Sequence, residues 1–179
     1  MFDSKYKFTC VDRFLKYVKY DTQSNEDSKT FPSTDKQKIL AKDLANELLA
    51  MGLKDAQMDD YGYVTATLPS NTNKSVPVIG FIAHVDTSPA VSGANVNPII
   101  HKNYQGDDII LPKDGQVIRV EDNPDLKNMI GFDIITSDGS TLLGADNKSG
   151  VAEIMDAVNY LLTHPEVKHG MIKVCFTPD

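Results

Sequence analysis

Residues 76–90 read VPVIGFIAHVDTSPA, and this run constrains the fold more than any other part of the chain. From Val76 to Ala83 it is almost wholly apolar, and then His84 and Asp86 appear two positions apart. A short continuous apolar run bounded by turn residues predicts a fully buried strand, here placed over residues 77–83. In an extended segment, residues i and i+2 project the same way. His84 and Asp86 therefore emerge together at the strand's C-terminal end, where open α/β sheets place their ligands.

A neutral imidazole nitrogen is a good zinc ligand, and a neighbouring carboxylate can hold it in the right tautomer. The same two residues also suit a strand-end histidine with Asp86 capping the turn at Ser88 and Pro89, so HxD alone decides nothing. A second motif follows the same plan. In TLLGADNKSGVAEIMDAVNYLLTHP, Leu142 and Leu143 end a short strand, GADNKSG forms a loop, and residues 151–162 form a helix. Its apolar stripe is Val151, Ile154, Met155, Val158, Leu161 and Leu162. Asp146 reads as a metal ligand in a glycine-flanked turn or as an ordinary N-cap. The GxxxxGK[ST] spacing is missing around Lys148, which discounts a nucleotide cradle. Two such motifs, each at a strand's C-terminal end, are far more specific together than apart.

MIKVCFTPD predicts another buried strand, ending in Asp179 at the presumed cleft. His164 and His169 read as solvated, and His101 lies in a loop. Elsewhere, residues 9–20 put Val11, Phe14, Leu15 and Val18 on one helical face. Thr34 and Gln37 suggest a capping box opening a helix with Ile39, Leu40, Leu44, Leu48 and Leu49 that stops at Gly52. Residues 63–68 alternate as a strand does, and short strands fit at 109–111, 116–120 and 134–136 between turns. Helices alternating with strands imply an α/β fold, a mixed sheet flanked by helices.

A net charge of -7 argues against nucleic acid or an anionic membrane surface as partner. No window approaches the ~18 apolar residues of a spanning helix, and MFDSKYKFTC carries no apolar signal region. Cys10 and Cys175 lie far apart, without a CxxC, and read as core residues in a protein of the reducing cytoplasm.

FIAHVDTSPAVSG, LLGADNKSGVAEIM, HPEVKHG and FTPD together resemble the dinuclear zinc exopeptidase family, which also holds aminoacylases and glutamate-releasing carboxypeptidases. The resemblance covers essentially the whole chain and extends to RFLKYVKYDTQS and YGYVTATLP. It implies release of the N-terminal residue from tripeptides by a zinc-activated water, with two zinc ions per complete site. His84 would ligate one zinc, Asp86 would be the supporting carboxylate counted as catalytic, and Asp146 would bridge both ions. Small peptides are then the substrates, and a homodimer is the assembly of the full-length enzyme. In relatives, two glutamates follow TPD as general base and ligand. Residues 1–179 would therefore be the N-terminal part of the catalytic domain, without the lid and dimerisation domain or the C-terminal part, and inactive alone. Two other readings stay open: an N-acyl amino acid amidohydrolase of the same family, and a non-catalytic structural or binding fragment. Strands cut off from later partners should leave open edges and favour self-association.

Overall fold

The computed structural model describes residues 5–179, and Met1, Phe2, Asp3 and Ser4 lie outside the described residues. Among the described residues, three helices, α1 (Cys10–Tyr17), α2 (Gln37–Met51) and α3 (Ala145–Thr163), accompany eight strands. The strands are β1 (Gln57–Met58), β2 (Val64–Leu68), β3 (Ile79–His84), β4 (Ile99–His101), β5 (Ile109–Ile110), β6 (Val117–Ile118), β7 (Ile134–Thr136) and β8 (Ile172–Thr177). A 3-10 turn spans Pro124–Met129. No helix among the described residues is long and apolar enough to cross a membrane.

The main sheet has the order β1-β2-β8-β3. β1 and β2 are antiparallel, as are β2 and β8, while β3 and β8 run parallel, so the sheet is mixed as expected. Period-2 alternation sorts the side chains: Val64, Ala66, Leu68, Ile172, Val174 and Phe176 are buried on one face. The helices cover that face, with α2 supplying Leu40, Leu44 and Leu48 and α3 supplying Val151, Met155 and Val158. On the other face, Lys173 Nζ donates to Thr67 Oγ1 at 2.6 Å across the β2–β8 pair.

β3 departs from expectation. It is not fully buried: Val78, Ile79 and Phe81 are exposed, and Ile82 is 69% exposed. Among the described residues β8 is its only strand partner, so β3 is an edge, and an edge strand is covered from one side only. An apolar run reports what a strand is suited to be packed against, not whether the packing is present.

α1 buries Phe14, Tyr17 and, just beyond its end, Val18, but leaves Val11 exposed. Tyr17 enters the core because its hydroxyl finds Glu47 Oε2 at 2.8 Å, and burial pushes its pKa up to about 12. α2 keeps Leu40, Leu44 and Leu48 inside while Ile39 and Leu49 face outward, and Gly52 ends it in the left-handed conformation. The Thr34 capping box does not form. Thr34 Oγ1 donates to Gln23 O at 2.8 Å instead, and the Gln37 amide is buried and turned to Asp179.

Residues 91–141 make an excursion with its own small cluster of Tyr104, Ile109 and Leu111. The sequence reading located three of its strands but missed β4, which pairs with β7. Leu142 and Leu143 lie in irregular chain, not in a strand. Cys10 and Cys175 are free and half-buried rather than core residues.

Candidate metal centre

The parallel strands β3 and β8 end side by side, with His84 level with Thr177, and Val85 N–H donates to Thr177 O at 2.8 Å. His84 thus stands at the carboxyl end of the sheet, where the two strands hand over to loops. Its ring is held from both sides. Nδ1 lies 3.0 Å from Asp86 Oδ1 and 3.2 Å from the Asp86 carbonyl, while Nε2 lies 2.9 Å from Asp146 Oδ1. The HxD spacing therefore does bring the carboxylate back onto the imidazole. Two acceptors on Nδ1 fix its proton there and leave Nε2 as the outward-facing nitrogen.

Asp146 arrives from the other loop. The helix begins at Ala145, earlier than the sequence suggests, but Asp146 (φ -89°, ψ 104°) and Asn147 (φ -122°, ψ 32°) are not helical, and the peptide between them is cis. Gly144 precedes them at φ 79°, a conformation that disfavours a side chain, and a Cβ there would sit 3.2 Å from Thr87 Cγ2. The Asp146 side chain is 94% exposed, in contrast to the half-buried Asp86. Partial burial disfavours the His84 imidazolium, yet the hydrogen bond it donates to Asp146 and the charge of Asp86 outweigh it and raise the pKa. The two carboxylates stabilise positive charge on the ring from opposite sides.

The donor chemistry fits a divalent metal. Two ligand atoms each ~2.0–2.2 Å from one tetrahedral zinc would be separated by about 3.3–3.6 Å, so Nε2 and Asp146 Oδ1, 2.9 Å apart, need part by only about half an ångström to admit the ion. An ion there would take the place of the proton between them. The set is partial: no group of three or more His, Cys, Asp or Glu side chains suited to a metal occurs among the described residues.

The remaining candidates lie elsewhere. Asp179 folds back toward residues 33–37, where its carboxylate accepts from Ser33 N, Ser33 Oγ and Gln37 Nε2. His101 bonds Thr136 Oγ1, His169 bonds Gly170 O, and His164 stacks on Tyr160, so His164 is not simply solvated. Sequence reasoning overlooked Lys148. It is 1% exposed, its ammonium donates to Tyr20 O at 2.8 Å, and burial lowers its pKa to about 8 against the opposing charge of Asp21. A lysine among small residues in a loop gives no signal that it points inward.

No family model matches the chain. Curated relatives do. Peptidase T of Caldanaerobacter subterraneus subsp. tengcongensis is 55% identical over 170 residues, covering 94% of this chain and 42% of its own length. Peptidase T of Alkaliphilus oremlandii is 58% identical over 172 residues, with the same shares. The fold matches the crystal structure of aminopeptidase PepT from Bacillus cereus with a TM-score of 0.62 at 23% identity, over 94% of this chain and 35% of that one. A tripeptidase from Staphylococcus aureus gives 0.59 at 22%, again over 94% and 35%. The chain is thus a relative of peptidase T along 94% of its residues, and it spans about two fifths of the length of those curated proteins.

Proposed function

We propose that the chain forms the N-terminal part of the catalytic domain of a zinc-dependent aminopeptidase that releases the N-terminal residue from tripeptides. The observation that carries this reading is the convergence of His84 Nε2 and Asp146 Oδ1 to 2.9 Å, with Asp86 behind the ring on Nδ1. The peptidase T relationship supports the reaction, and the chain's 42% share of those relatives supports a polypeptide that supplies the lid, dimer contacts and further ligands from other segments.

Zinc bound here would supply charge that acidifies a water and polarises the scissile carbonyl. The chain's own residues hold and orient. His84 presents Nε2 from the rigid end of β3, and Asp86 keeps the proton on Nδ1 so that Nε2 stays a ligand. Asp146 offers an exposed carboxylate with a second oxygen free to reach a second ion. Free, half-buried cysteines agree with a reducing cytoplasmic setting.

The test is tripeptide hydrolysis by the intact protein carrying His84→Ala or Asp146→Ala. Each substitution is expected to abolish the zinc-dependent activity. Wild-type rates in either variant would remove the reading.

A further inference from the structure

Asp146 faces a particular difficulty. Its side chain is almost wholly exposed and its backbone is not helical, so neither packing nor helix geometry sets where the carboxylate points. Something else must hold this loop in register with His84, 62 positions away in sequence.

Two residues past Asp146, the chain turns Lys148 inward while Asp146 turns outward. The lysine stem runs beneath Gly144, and its ammonium donates to Tyr20 O. Tyr20 opens a short segment that reaches the other half of the site. Thr87 N–H donates to Thr22 O at 3.1 Å, and Ser24 N–H and Oγ both donate to Thr87 O. Gln23 Nε2 adds bonds to Pro89 O and Val91 O, each at 3.1 Å. Thr22 and Thr87 are both buried, so this zipper is packed as well as bonded. Residues 20–24 are therefore a common splint. One end is fastened to the loop after His84 and Asp86, and the other is fastened to the loop of Asp146 through the single ammonium of Lys148.

We propose that Lys148 is a positioning residue that sets the distance between the Asp146 carboxylate and the His84 ring by tying the Asp146 loop to residues 20–24. It touches neither metal nor substrate. The inference builds on the zinc reading above, but its first consequence concerns the metal-free protein.

Lys148→Met keeps the stem and removes the charge and its donors. The test compares the His84 ring nitrogen signals by NMR, at one fixed pH and without metal, in wild type, Lys148→Met and Val158→Ala. Val158 is buried in the same helix, far from the splint in sequence, so its truncation destabilises without cutting the tie. The expected result is a changed His84 Nε2 signal in Lys148→Met alone, with zinc binding by calorimetry weakened about 10- to 100-fold. Unchanged His84 signals in Lys148→Met, or equal changes in both variants, would overturn the proposal. Should Lys148→Met fail to fold, Lys148→Gln shortens the stem and removes the charge while keeping a polar donor. It must move the same signal, and an unmoved signal overturns the proposal. A wild-type chain that binds no zinc would sink the metal reading, while the signal comparison would still decide the role of Lys148.

Discussion

His84 Nε2 lies 2.9 Å from Asp146 Oδ1, joining the end of β3 to the irregular start of α3. Asp86 completes the arrangement from the opposite nitrogen. Because Asp86 acts on the ring and not on the cation, Asp86→Asn should leave the fold intact and weaken zinc binding about 10- to 100-fold. Calorimetric titration checks this, and unchanged affinity would show that the carboxylate does not govern the ring.

Gly150 is required by a neighbour, not by its own backbone angles. A Cβ at this position would lie 2.3 Å from Asn147 Oδ1 and 3.1 Å from its Cγ. Gly150→Ala must push the Asn147 amide aside, and because that amide is the end of a partly exposed side chain the cost should be about 1 kcal/mol or less. Removing the obstacle with Asn147→Ala should make the double variant less destabilised than the sum of the singles, as read from urea unfolding.

Leu44 is 0% exposed where α2 meets β2. Leu44→Ala should cost about 2–5 kcal/mol, whereas Ile39→Ala, on the solvent side of the same helix, should stay within about 0.5 kcal/mol. Equal effects would contradict the assigned helix face.

Asp43 gives the acid response a definite sign. Partial burial pushes its pKa up, but Lys16 Nζ at 2.6 Å and Tyr20 OH at 2.9 Å pull it below the ordinary carboxylate range. A depressed folded-state pKa contributes stability that is present above the unfolded value of about 3.9 and lost as pH falls through the lower folded value. Asp43→Asn should therefore flatten the loss of stability below about pH 4. An unaltered acid profile would count against this ion pair.

The apolar edge of β3 should drive self-association of the 179-residue chain. Light scattering should show species larger than a monomer, and Ile82→Lys, at the most exposed of these positions, should reduce them. A monodisperse wild-type monomer would contradict the prediction.

Much of this was legible from residues alone, because strand periodicity and strand ends are local properties. β2, β8 and most of α3 follow from their own patterns, and the HxD spacing alone projects His84 and Asp86 the same way. What failed was relational. The apolar character of residues 77–83 could not say that β3 has a partner on one side only. Thr34 and Gln37 have capping-box spacing, yet Gln37 is drawn to Asp179, 142 positions away. Lys148 gave no inward signal, since its acceptor is a backbone carbonyl 128 positions earlier.

The most direct test is a crystal soaked in zinc and measured with anomalous scattering. The account predicts a peak bonded to His84 Nε2 and an Asp146 oxygen, with Asp86 still on Nδ1. A structure at saturating zinc with those side chains turned apart and no peak between them would contradict it.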